Sequence, residues 1–121
     1  MWFPAQSLSA LWRARLNAKL LAGVAITMTN KHYTYVLSCY DTISGRTIYY
    51  VGTTGDMDHR LREHQSGGVR STKSFDKIEL VYYEVCFNKT DARCRELQLK
   101  TGFGRGFIKR RLKNYLQADV V

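Results

Sequence analysis

At 121 residues the chain is short for two domains and long enough for one modest core. Nineteen Lys plus Arg against ten Asp plus Glu give a formal net charge of +9, which argues against basic partners and for polyanions, nucleic acid first. Three cysteines with no CxxC or metal-ligand spacing argue against a disulfide framework and a zinc site, and no apolar run reaches membrane-spanning length.

The segment before Thr29 carries no acidic residue; the first in the chain is Asp41. It reads in three ways. Arg13, Arg15 and Lys19 ahead of the apolar run Leu20–Met28 resemble a weak secretion signal. Residues 8–26 could instead form a basic amphipathic helix on a membrane or on nucleic acid. The third reading is favoured, because a complete pattern starts just after Met28: residues 1–30 are an extension, poorly ordered or weakly helical. A domain then covers 31–116 and a tail 117–121.

From Thr29 the elements are legible. "YTYVLSCY" alternates Tyr33, Tyr35, Leu37 and Cys39 against Thr34, Val36 and Ser38, the period of a strand. "DTISG" is a polar turn of hairpin length, and "RTIYYVG" is a β-branched, aromatic second strand antiparallel to the first. Asp56 caps a helix that runs to Gln65 and stops at Gly67-Gly68. "KIELVYYEVCF", residues 77–87, is a third strand, and Thr90 or Asn88 caps the helix "DARCRELQLK". A last helix over about 105–116 places Phe107, Ile108, Leu112, Tyr115 and Leu116 on one face. The expected fold is an α/β domain of the α+β type. It has a three-stranded, largely antiparallel sheet flanked by helices in the order β-β-α-β-α-α. The three cysteines, Cys39, Cys86 and Cys94, read as small core residues.

Three oddities bear on chemistry. On the first helix Met57 and Leu61 mark the buried side, and Arg60 and His64 fall at its edge while Arg62 points away. A charge near an apolar stripe needs a partner or a task. On the second helix Glu96 shares a side with Ala92 and Leu99; it reads either as an ion pair with Arg93 and Lys100 or as a ligand for a divalent metal. Tyr35 and Tyr50 lie on neighbouring strands, so their hydroxyls can converge, and nearby cations are expected to lower a phenol's pKa and make it a proton acceptor. A phenolic base, an arginine, a histidine and one carboxylate are what metal-assisted phosphodiester hydrolysis needs.

"YTYVL" followed by "YYVGTTGDMDHRLREHQSG" resembles the GIY-YIG nuclease signature. "DARCRELQLKTGFGRGFIKRRLKNYL" is similar to the end of the small stand-alone members of that superfamily, which are related to the nuclease domain of the excision-repair incision enzyme. The resemblance covers about residues 31–116. It implies Tyr35 as general base, Tyr50 in the same network, Arg60 as catalytic arginine, His64 assisting at the phosphate and Glu96 holding a single Mg²⁺ or Mn²⁺. It also implies Gly52 as the residue that closes the strand and lets the helix approach. Tyr33-Thr34 stands in place of the Gly-Ile of the name motif, and the family's late asparagine has no clear match, since Asn114 lies far along a basic helix.

Lys109, Arg110 and Lys113 project from the last helix and Arg70 and Lys73 extend the charge into the loop after the first, a set suited to the nucleic-acid backbone. The reading is a metal-dependent endonuclease that hydrolyses DNA by water attack, structure-specific or repair-related, cytoplasmic, without stable membrane insertion. A partner protein could supply target choice. The alternatives are a non-catalytic nucleic-acid-binding module of the same shape and a basic peripheral membrane protein.

Overall fold

The computed structural model describes residues 10–15, 17–18 and 30–118. Residues 10–15 and 17–18 are helical and exposed. The remainder of the expected extension, and the tail beyond Ala118, lie outside the described residues.

The domain opens with β1 (His32–Tyr40) and β2 (Thr47–Thr54), then α1 (Met57–Gln65), β3 (Lys77–Cys86), α2 (Lys89–Leu99), α3 (Gly102–Arg111) and α4 (Lys113–Ala118). The sheet order is β2-β1-β3, and both pairings are antiparallel. The first strand is therefore central, and its two faces feed two cores. Tyr35, Leu37 and Cys39 point toward α1 and pack with Phe75 and Ile78, with Met57 and Leu61 against them. Val36 packs on the opposite face with Val51, Leu99 and Ile108. The alternation read from the sequence thus separates two buried faces rather than core from solvent.

The caps explain where helices begin and end. Asp56 accepts from the His59 N–H at 3.1 Å, and Asn88, not Thr90, accepts from Asp91 at 3.0 Å. Gly67, at φ +81°, stops α1 in the left-handed conformation open to glycine. Two expectations are corrected. The last helix begins earlier, at Gly102 behind the Thr101 cap, and breaks at Leu112 (φ −106°, ψ 18°), so Tyr115 on the short α4 is exposed rather than on a continuous apolar face. Of the cysteines only Cys39 is core; Cys94 is exposed on α2 and Cys86 half-buried. Burial pushes the Cys39 thiol up to about 11, so it packs as a small inert hydrophobe.

Candidate active site

The site is built on the α1 face of the sheet. Tyr35 is fully buried in the middle of the central strand, and its ring crosses the neighbouring strand at Gly52, its direct partner in register. A Cβ at Gly52 would meet the Tyr35 hydroxyl at 2.5 Å. Gly52 therefore leaves room for a tyrosine ring. It does not close β2, which continues to Thr54.

One turn of α1 brings Arg60 and His64 to that hydroxyl, while Arg62 faces solvent. Arg60 Nε donates to Tyr35 Oη at 3.3 Å, and Glu63 steadies the guanidinium from one turn on, Nη1 to Oε2 at 3.4 Å. His64 is fully buried, with Nε2 2.8 Å from Tyr35 Oη and Nδ1 2.8 Å from Thr72 Oγ1. Tyr50 joins through its ring, 5.0 Å from His64 and 6.3 Å from Tyr35. Arg60, Tyr35, His64 and Thr72 thus form one hydrogen-bonded chain. Among the described residues no buried side-chain polar atom lacks a partner.

Electrostatics corrects one expectation. Burial pushes the Tyr35 phenol above its ordinary value; the Arg60 hydrogen bond and charge pull it down, and Tyr50 and Glu96 push it further up. The nearby cation is outweighed because the ring sits in a core. His64 moves the other way: burial, then the Arg60 charge, lower its pKa against the opposing Glu63. Phenol and imidazole are both neutral at rest. The proton between Oη and Nε2 can belong to either, with Thr72 donating or accepting at Nδ1 to match.

A depressed histidine pKa ties stability to pH. The unfolded chain takes up the proton first as pH falls, so this contribution is complete above roughly pH 6.5 and is lost as pH drops through the lower folded value. Thermal midpoints measured from about pH 7.5 to about pH 5 should fall with acidification, and His64→Gln should flatten that slope. An unchanged slope in the variant would assign the pH dependence elsewhere.

Thr72 was not legible as a site residue. Its loop, residues 66–76, is polar, but Val69, Thr72 and Phe75 recur every third position and all three are buried. Successive turns, Thr72 N–H to Val69 C=O at 3.1 Å and Phe75 N–H to Thr72 C=O at 3.0 Å, put them inside. The same spacing leaves Arg70 and Lys73 outside, on either side of the threonine.

Glu96 stands apart from the chain of four. It lies on α2, which packs through Leu99 on the opposite face of the sheet, and only its charge reaches Tyr35. It is buried between Ala92 and Leu99, with Oε2 3.2 Å from Lys100 Nζ and Oε1 against Arg93. Both partners are exposed, so their heads are free to swing into water. No group of three His, Cys, Asp or Glu gathers among the described residues. A cation held here would have one protein carboxylate and take its other ligands from water and phosphate, an arrangement that suits Mg²⁺. Lys109, Arg110 and Lys113 are exposed on α3 and α4, and none of them is in an ion pair among the described residues.

A buried tyrosine, an arginine and a histidine thus meet at one strand-to-helix turn of a small antiparallel α+β domain. The chain belongs to the GIY-YIG family: the family described as the GIY-YIG catalytic domain matches residues 31–111. Relatives include a UPF0213 protein of Natronomonas pharaonis, 34% identical over 93 residues, covering 76% of this chain and 96% of that one. A UPF0213 protein of Oceanobacillus iheyensis is 32% identical over 74 residues, 60% of this chain and 80% of its own. One of Bacillus pumilus is 37% identical over 73 residues, 60% and 69%. No solved structure matches the chain at significance. Among the described residues no helix is long and apolar enough to cross a membrane.

Proposed function

We propose that this protein is a metal-dependent endonuclease that hydrolyses DNA phosphodiester bonds by direct water attack. The observation that carries the reading is the hydrogen-bonded chain Arg60–Tyr35–His64–Thr72 inside a GIY-YIG domain. In this reading displacement of the half-buried Arg60 side chain toward the phosphate admits the attacking water to Tyr35, which takes its proton through an oxygen lone pair while its own proton passes to His64 Nε2 across 2.8 Å. Thr72 fixes the imidazole that receives it. Arg60, already aimed at the phenol and partly exposed, neutralises charge growing on the phosphate. Tyr50 walls the pair. Glu96 would hold a single Mg²⁺ or Mn²⁺, which when bound polarises the phosphate and stabilises the leaving oxygen. Arg70, Lys73, Lys109, Arg110 and Lys113 supply backbone contacts without reading sequence, and a partner protein would supply any long-site choice. Action in DNA repair and a cytoplasmic setting belong to the same reading.

A second reading rests on Glu96 itself. Both of its oxygens are engaged by cations, as in a structural ion pair, which suits a domain of this shape that binds nucleic acid without cutting. Cleavage of labelled duplex, flap, branched and single-stranded DNA with Mg²⁺, Mn²⁺ or EDTA separates the two. The nuclease reading expects metal-dependent cutting, reduced about 10²–10³-fold in Arg60→Ala and lost in Glu96→Ala, with DNA affinity in EDTA little changed by Glu96→Ala. Salt-sensitive binding with no cutting under either metal would establish the binding module.

A further inference from the structure

A cavity of about 560 Å³ lies between the edge strand β2 and the helices on the face of the sheet opposite Tyr35. Its walls are mostly apolar and include Val51, Leu99, Ile108 and Leu116. Its rim is not: Lys100, Arg105 and Lys109 line it and all three are exposed. Neither Arg105 nor Lys109 has an acidic partner among the described residues. An apolar chamber under a cationic rim suits a ligand with a flat apolar body and an anionic group beside it. A nucleotide is such a ligand, and the volume falls in the range of small-ligand sites.

Two residues join the cavity to the candidate active site. Tyr50 lines it and stands 5.0 Å from the His64 ring. Lys100 lines it and pairs with Glu96 at 3.2 Å. Tyr49, 43% exposed on the same wall, offers a ring for stacking. A strand that passes from Arg60 around the edge strand β2 would bring a neighbouring nucleotide to the cavity, its phosphates facing the rim.

We propose that this cavity receives one unpaired nucleotide of the DNA that the site acts on, so that the protein selects DNA with a base already out of the stack. The inference rests on the nuclease reading for its substrate. A paired base would first have to be unstacked, whereas an unpaired one enters without that cost, and the difference is the source of selectivity.

The test uses the full chain in EDTA with two DNAs, a fully paired duplex and the same duplex carrying one unpaired 2-aminopurine nucleotide. The expected result is about tenfold or greater preference for the unpaired form, with a change in 2-aminopurine fluorescence on binding. Leu116→Trp, which fills the chamber from the short α4, should abolish the preference and leave affinity for the paired duplex unchanged. Tyr49→Ala, at an exposed position, serves if the first variant does not fold and should reduce the preference severalfold. Equal affinity of the unmodified chain for both DNAs overturns the proposal, as does a preference that survives in both folded variants. Binding of free deoxynucleoside monophosphate without any preference for the unpaired strand also overturns it. Equal binding together with metal-dependent cutting of both DNAs sinks the cavity alone; a preference in EDTA with no cutting under Mg²⁺ or Mn²⁺ sinks the nuclease reading alone.

Discussion

Tyr35→Phe is expected to slow DNA cleavage by about 10²–10⁴-fold while the domain stays folded. The ring remains in the core with Leu37 and Cys39 and still fills the space above Gly52. Only the oxygen is removed, and with it go the acceptor of the Arg60 Nε–H, the partner of His64 Nε2 and, in the proposed mechanism, the group that takes the proton from water. Leaving His64 short of one hydrogen bond should cost about 1–2 kcal/mol, since the imidazole is fully buried. Thermal unfolding beside single-turnover cleavage distinguishes the two effects, and DNA affinity in EDTA should be unaltered. A variant that cuts within a fewfold of the unmodified rate would remove Tyr35 from the chemistry and leave it a packing residue.

The largest structural effect is expected at Gly104. This glycine sits in the first turn of α3, where its N–H meets the Thr101 cap at 3.3 Å. A Cβ there would clash with the backbone of Leu99, a contact that no rotamer change relieves. Gly104→Ala must therefore move α3 away from the end of α2, opening the core that Leu99 and Ile108 share with Val36. Against a helix-propensity gain of about 1 kcal/mol, the net loss should be roughly 2–3 kcal/mol. Denaturant midpoints measure it directly, with an unchanged slope expected if the domain still unfolds in one step. A neutral or stabilising result would mean that the two helices are not held this closely.

Most of the fold is carried by local signals. Period-two apolar residues, the Asp56 and Asn88 caps and Gly67 act over a few positions, so strands and helix starts are readable one segment at a time. The inward lean of Arg60 and His64 follows from helical spacing against Met57 and Leu61 in the same way. What was not legible depends on partners far along the chain. That the first strand is central, and buried on both faces, is decided by β3. The rise in the Tyr35 pKa follows from that burial, which a count of neighbouring cations cannot register. Thr72 acquires its role only because its loop folds back onto His64, and the break at Leu112 interrupts an apolar pattern that continues through it. Cys94 has the residue type of a core position and the helix phase of a surface one, and phase decides.

The sheet order also fixes the sequence of events when the chain folds. The first two strands are neighbours in sequence, joined by the loop 41–46, and a hairpin of this kind closes in about 1–10 µs. The other edge of β1 has to wait for β3, which lies beyond α1 and its following loop. Until then Val36 and Leu37 have one flank open, an edge on which other chains can pair. Phe75 and Ile78, which complete the core beneath Tyr35, arrive in the same late step. A growing chain that stops short of Phe75 would hold Tyr35, Arg60 and His64 and yet lack the core on which their alignment depends, so that alignment is expected to appear only after the third strand has docked.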